Sequence, residues 1–381
     1  MSYTHGVYIS EAETAITAPV TGYSGLPVCI GTSAKGPANT PTLITRYEEG
    51  TDIFGSSSDW EACTINEFLY TEFALYGQSP VVIIRASEAG AQGIIDALGH
   101  VGEVFHKYRL VPGIILAPGW SHLPEVAAVM SQEASKVSGV FRCISICDAP
   151  GDSYADIPSW KTSKNYVSSR QILCWPKVKL GTRAYHMSCH LCGVMNATDN
   201  SRGDVPYKTP SNEILQCEGC VNDAGDEVLL TLEQANYLNG QGVVTALNWT
   251  GGWRVWGNNT CAYPANTDPK DRFIPVRRMF DYIGNTFINT FWQKADQPMT
   301  IRLIREVVNS FNLYLNGLAA RDMILGGRIE FRENENVLTD LMNGILRFHV
   351  FVTPPVPAET IEGILEYDPD YLSALYEAVR G

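Results

Sequence analysis

No stretch of the 381-residue chain holds the roughly 18 consecutive apolar residues that a membrane-spanning helix needs, so no membrane insertion is expected. Positive charge is scarce. Lys and Arg number 28 against 41 Asp and Glu, a formal net charge of −13, which argues against nucleic-acid binding. The start, MSYTHGVYISEAET, has neither a basic region nor an apolar one behind it, so no secretory leader is expected. Phosphate-cradling loops are missing: GTSAKGP holds glycines and a lysine but not the P-loop order, and no G-x-G-x-x-G follows a strand. There is no G-x-S-x-G elbow and no H-E-x-x-H, so the motifs read for nucleotide, hydrolase and zinc-protease chemistry are not there. No cofactor is expected, and no internal repeat or low-complexity tract is evident.

What is present is a folded globular chain with 45% hydrophobic and 18% charged residues, long enough for two domains. Its ten cysteines are scattered through apolar runs such as VCIG and FRCISIC, as suits reduced, buried thiols acting as small hydrophobes. From Leu26 a regular alternation begins. Apolar strands (LPVCIG, PVVIIRAS, GIILAP, VFRCISIC, QILCWP, GVVTALNW) are separated by helical patterns such as EACTINEFLYTEFALYG and LPEVAAVMSQEASKVSG. Continuously apolar strands between helices predict a parallel sheet covered on both faces, over residues 24–257. Beyond it the order changes. Two long helices, near 272–295 (capped by Asp271) and 299–323, precede strands GGRIEFRE, ILRFHVFVT and TIEGILEY and a short helix in NVLTDLMNG. This predicts an α+β domain over 258–367. The ends, 1–23 and 368–381, read as extended arms. GVYISE is a strand pattern without a local partner, and the acidic tail carries Tyr371, Leu372, Leu375, Tyr376 and Val379 on a helix too short to stand alone.

Four constellations carry possible chemistry. Cys189-x-x-Cys192 and Cys217-x-x-Cys220 have the bite of a tetrahedral zinc site. Residues 193–216 make a long separation, however, and the first pair sits in a helical pattern, so buried structural thiols are the preferred reading. His186 and His190 share that helix at i,i+4 and are read as packing or surface histidines rather than ligands. Asp148, at the end of a core strand, sits where open α/β sheets keep ligands, although a turn aspartate in DAPGDS is the preferred reading. Trp249, Trp253 and Trp256 flank Gly251-Gly252, a pair that requires a turn. They suit core packing at a domain junction better than a sugar platform.

The string GWRVWGNNT followed by VRRMFDYI resembles the signature of contractile tail sheath proteins, a G-x-R-x-W-G-N-R-T motif ahead of a helix carrying V-R-R. Asn259 stands where that motif has arginine. GVMNATDNSRGDVPYKTPSNEI resembles the family's A-G-x-x-A-x-T-D…G-x-x-x-x-P-S-N stretch, and HGVYISE its amino-terminal G-V-Y strand. The resemblance runs in order over most of the chain and is closest to the compact sheaths of simple contractile phages and R-type bacteriocins. It implies a structural subunit, not an enzyme, that polymerises as stacked six-fold rings around a tail tube and contracts to drive it through a cell envelope. Its partners would be other copies of itself, the tube protein, and baseplate and terminator proteins, in a virion tail or tail-like particle assembled in the bacterial cytoplasm. The resemblance places 24–257 outside and 258–367 against the tube. It gives Val7, Tyr8 and Ile9, with Tyr371, Leu372 and Leu375, to arms that join neighbours, and Trp253, Arg254, Trp256, Gly257, Asn258, Arg277 and Arg278 to the signature. Arg254, between two tryptophans, is expected to reach across a domain or subunit boundary. The alternative class is an enzyme, zinc-dependent or otherwise, on a doubly wound α/β sheet.

Overall fold

The computed structural model describes residues 17–19 and 25–372. In chain order it begins with β1 (Pro27–Gly31), β2 (Thr42–Ile44), α1 (Tyr47–Phe54) and α2 (Thr64–Leu69), which continues as a π-helical turn, Tyr70–Leu75. Then come β3 (Val81–Arg85), α3 (Ala91–Leu98), α4 (Glu103–Tyr108), β4 (Ile114–Leu116), α5 (Pro124–Ser135), β5 (Ile144–Asp148), α6 (Ile157–Ser163) and β6 (Gln171–Cys174). A three-stranded antiparallel sheet is made by β7 (Lys177–Leu180), β8 (Arg183–Tyr185) and β9 (Gly219–Val221), with α7 (Met187–Asn200) between the last two. After α8 (Leu232–Gly240), β10 (Val243–Trp249) and β11 (Gly252–Trp256) form a hairpin.

The main sheet has eight strands in the order β11-β10-β6-β5-β4-β1-β3-β2. The six inner strands are mutually parallel, and the hairpin strand β11 and the short β2 close the two edges antiparallel. Its strands are apolar at nearly every position because both faces are covered. Val28, Ile30, Val82, Ile84, Ile115 and Leu173 point into one core with α3 and α5. Cys29, Ile83, Ile114, Leu116, Ile146 and Ile172 point into the other with α2 and α7. The expected α/β sheet is thus observed, with antiparallel edges and with helices α3 and α4 as additions.

The chain continues through α9 (Pro269–Arg272), α10 (Ile274–Phe291), α11 (Ile301–Ala319), β12 (Gly326–Glu330), α12 (Leu338–Met342) and β13 (His349–Thr353). The antiparallel pair β12–β13, α10 and α11 enclose a separate apolar core around Met279, Ile283, Phe311, Leu315 and Leu318.

Three expectations are corrected here. The helix expected over 272–295 is preceded by a separate short one, since α9 ends at Arg272 and α10 runs from Ile274 to Phe291. Asp268, not Asp271, caps the first through its bond from the Lys270 amide (2.9 Å), and Phe273 is extended between them. Pro275 has no N–H to offer the Asp271 carbonyl, which instead accepts from Thr260 Oγ1 at 2.6 Å. TIEGILEY forms no strand. The prolines at 354, 355 and 357 stop the ladder after β13, and Ile361, Ile364 and Leu365 are 90%, 88% and 100% exposed. Trp249, expected in the core, is 58% exposed at the tip of the β10–β11 hairpin. Of the expected arm residues, Tyr371 and Leu372 lie exposed in a single 3-10 turn, whereas Val7, Tyr8, Ile9 and Leu375 lie outside the described residues.

Candidate functional site

The signature segments, far apart in sequence, meet in one place. Register sets the first contact. Trp249 pairs with Gly252, so Thr250-Gly251 is a two-residue turn, and Gly251 and Gly252 both take positive φ (91° and 104°). Along β11, Trp253 and Val255 then face the α7 side of the sheet while Trp256 packs on the other. The three tryptophans therefore share no surface. Trp253 Nε1 donates to the Glu218 carbonyl and Trp256 Nε1 to Asn236 Oδ1, each at 3.0 Å.

The P-S-N-E-I segment runs along the open edge of β11. Asn212 N donates to Val255 O (2.7 Å), Val255 N to Glu213 O (3.0 Å) and Leu215 N to Trp253 O (3.0 Å). Ser211 Oγ accepts from the Gly257 amide (3.0 Å), and Thr209 Oγ1 donates to Asn258 Oδ1 (2.6 Å). Gly257 has φ 141°, and a Cβ there would stand 3.1 Å from Val244 Cα, so the motif's glycine is required by both backbone and space. Arg254 stays with this segment, donating from Nη1 to the Asn212 carbonyl at 2.7 Å. Arg254→Ala is expected to lower unfolding free energy by about 1–2 kcal/mol, the scale of a charged hydrogen bond. An unchanged urea midpoint would count against this.

The arginine pair lies under these loops. Arg278 on α10 makes a two-pronged bond to Asp199 at the end of α7, Nη2 to Oδ2 at 2.5 Å and Nη1 to Oδ1 at 3.2 Å. The two side chains are 3% and 2% exposed. A planar fork is the geometry that lets a guanidinium satisfy a buried carboxylate. Arg277 bonds Asp281 one turn on (3.1 Å) and Asp271 (3.2 Å), and Asp281 is also paired with Arg170, just before β6. Asn285 of α10 exchanges bonds with the Arg142 backbone (3.0 and 2.7 Å), just before β5. Helix α10 thereby crosses the amino ends of β5 and β6 on a row of charged and amide contacts, with its apolar side in the other core. The joint is polar and geometrically specific.

Asp199, Asp281 and Arg170 were not singled out from sequence. Asp199 lies in the T-D of the matched stretch, and the i,i+4 spacing of Arg277 and Asp281 was readable. Arg170 had no local signal. Asn259, in the place of the motif's arginine, accepts from Arg272 Nε at 2.8 Å.

The remaining candidates fall on the α2–α7 side. Asp148 is not a turn aspartate. It accepts from Ser188 N (2.9 Å) and Ser188 Oγ (2.6 Å) and so neutralises the amino end of α7. It also lines a cleft of about 350 Å³ at the carboxyl ends of the strands, with His122, Lys177, His186 and Asp223. The charged groups here are paired with one another, Lys177 with Asp223 and His186 with Glu67, each at 2.9 Å. His190 is fully buried, with Nδ1 3.0 Å from Tyr76 Oη, and burial pushes its pKa down to about 3. Cys189 and Cys192 lie inside α7, and burial raises both thiols well above their usual value. Cys217 and Cys220 are free thiols, Cys220 within β9, and the neighbouring Cys217 thiol together with burial raises the Cys220 thiol well above its usual value. Among the described residues no three His, Cys, Asp or Glu side chains converge as a metal would need. Elemental analysis of purified protein is expected to find well under one zinc per chain, and a stoichiometric content would overturn the structural reading of these thiols.

Burial opposes charge on His186, but the Glu67 carboxylate beside it outweighs burial and raises its pKa to about 9, from an ordinary 6.5. A pKa raised on folding stabilises fully below 6.5 and loses that contribution as pH climbs through 9. Stability is therefore expected to fall by on the order of 3 kcal/mol across this window, a slope that Glu67→Gln should flatten. A Glu67→Gln profile parallel to the parent's would sink the assignment.

The fold is that of contractile sheath subunits. The chain superposes on the cryo-EM structure of an extracellular contractile injection system, PVC sheath complex in contracted state, with TM-score 0.74 and 16% identity, covering 97% of this chain and 99% of that one. In sequence it is similar to the tail sheath protein of Escherichia phage P2, 24% identical over 414 aligned positions and 99% of both chains. It is also similar to the tail sheath protein of Burkholderia phage BcepMu, 25% identical over 353 positions, 87% of this chain and 73% of that protein. No protein-family model matches the chain. The resemblance read from the signature segments thus extends across the full length, and the chain is a relative of contractile tail sheath proteins, which are structural components.

Proposed function

We propose that this chain is the repeating subunit of a contractile tail sheath, stacking as six-fold rings or an equivalent helix around a tail tube. The observation that carries this reading is the end-to-end likeness to phage sheath proteins in sequence, joined to the likeness in fold to a contracted sheath. Its partners are further copies of itself, the tube protein, and baseplate and terminator proteins. Its place is a virion tail or tail-like particle built in the bacterial cytoplasm. The α/β body, 24–257, lies outside and 258–367 faces the tube.

Contraction on this reading is a switch between two packings of rigid subunits and consumes no nucleotide. The polar joint at Arg277 and Arg278 supports rigidity, because sliding α10 along the sheet ends would strip buried charges of their partners. Terminal arms keep neighbours linked by adding strands whose backbone bonds persist through the change. Residues 361–367 support this, with Ile361, Ile364, Leu365 and Tyr367 all exposed.

Negative-stain microscopy of purified protein tests the reading. Tubes or stacked rings are the expected result. Uniform monomers at concentrations of tens of micromolar and above would overturn it and return attention to the cleft at the strand ends.

A further inference from the structure

A groove of about 460 Å³ lies between Trp256, the P-S-N segment and residues 357–360. Its size falls among small-molecule sites, roughly 300–1,000 Å³. Side-chain amides dominate the lining, from Asn212, Asn236, Asn239, Asn258 and Asn259. Arg272 and Glu359 are its only charged residues, and they pair with each other. Pro357 and Ala358 are its only aliphatic side chains. A lining with no spare charge selects neither an anion nor a cation, and one so poor in aliphatic groups offers little to a lipid.

Three of the amides are held from behind. Trp256 Nε1 can only donate, so the atom it meets on Asn236 (3.0 Å) is the oxygen, and the NH₂ group is left over. The Thr209 hydroxyl accepts from Ser211 N (3.1 Å), so its own proton goes to Asn258 Oδ1 (2.6 Å), which again leaves the NH₂. Asn212 is fixed through its backbone. Its N donates to Val255 O (2.7 Å) and its carbonyl accepts from Arg254 Nη1 (2.7 Å), while its side-chain amide bonds no described residue. The groove therefore presents hydrogen-bonding groups that are unused among the described residues and already ordered, which lowers the entropy lost when a ligand meets them.

An extended peptide would dock by adding a strand, but residues 212–215 already take the open edge of β11. A nucleotide would need a free cation for its phosphate, and Arg272 is engaged. What matches is an uncharged ligand dense in hydroxyls, with an apolar ring face to set against an aromatic side chain. We propose that this groove binds a neutral saccharide, whose hydroxyls are bonded by the amides of Asn212, Asn236 and Asn258 and one of whose rings lies against Trp256. A hydroxyl both donates and accepts, so it can meet an amide from either side. Trp256 serves alone, because the three tryptophans share no surface. The site stands whether or not the chain polymerises.

The test uses the full chain, diluted until sedimentation shows monomer, with maltose, cellobiose, lactose and N,N′-diacetylchitobiose as probes. Saturation-transfer NMR reads contact, and titration of tryptophan fluorescence reads affinity. Saturable millimolar binding of at least one probe is the expected result. Asn212→Gly suits the φ of 67° at that position, and Asn236→Ala suits helix α8, so both variants should keep the parent's melting temperature. Each is expected to weaken binding on the order of five-fold, the scale of one lost hydrogen bond. Trp249→Ala, at the exposed hairpin tip and outside the groove, should bind as the parent does. No saturable signal from any of the probes would overturn the site. Binding that both asparagine variants retain in full would overturn it as well, and so would binding that Trp249→Ala abolishes, since the tip and not the groove would then hold the sugar. Tubes lost in the asparagine variants, with no sugar signal in the parent, would give the groove to a second copy and overturn it too.

Discussion

Replacing Arg278 by methionine is expected to cost about 3–5 kcal/mol of unfolding free energy, the range for removing one partner of a buried ion pair. The reason is the fork geometry. Both Asp199 oxygens face the guanidinium, at 2.5 and 3.2 Å, in a place where neither side chain meets much water. Methionine fills much of the volume but leaves the carboxylate stripped of that cation in a low-dielectric setting. The double change Arg278→Met with Asp199→Leu should recover a large part of the loss, because it removes the stranded charge as well. Urea unfolding of the parent, both single variants and the double variant measures the coupling. A single variant within about 1 kcal/mol of the parent, or strictly additive losses, would show that the pair does not hold the joint.

The other large effect concerns the ends. Deleting residues 1–15 or 368–381 is expected to leave the domains folded while abolishing tubes. Among the described residues the apolar cores are built from side chains between 26 and 352. Thr17 lies against the body, its amide donating to Ser310 Oγ (2.8 Å) and its hydroxyl to Glu306 (2.7 Å) on α11. Circular dichroism checks the fold, and microscopy with sedimentation checks assembly. Full-length tubes from either truncated chain would show that end is no linker. A chain that failed to fold would show that the end belongs to its own subunit.

Residue by residue, the sequence was most legible where a local rule is strict. Two glycines at Gly251-Gly252 meant a turn, and alternation in WRVW put Trp253 and Val255 on one face. Continuous apolar runs meant strands covered on both faces. Where the rule was periodicity alone it failed in two ways. An unbroken helical pattern hid the interruption at Phe273, since hydrophobic spacing continues through a break that Pro275 imposes on the hydrogen bonds. In TIEGILEY, a strand-like pattern met no partner strand, and a strand is a property of pairs.

The candidate site divides along the same line. Apolar runs between helical patterns determined by themselves a parallel α/β sheet, and the motif segments carried the resemblance to tail sheath proteins and named Arg277, Arg278 and Gly257 without giving their partners. Only the tertiary structure decided that Asp199, some 80 positions upstream of Arg278, is its counter-ion, that Arg170 joins Asp281, and that Arg272 holds Glu359. Hydrophobic order is written locally because water drives it at every apolar residue independently. A buried charge must instead find one particular opposite charge in space, and the sequence distance to that partner is fixed by topology, which no local pattern encodes.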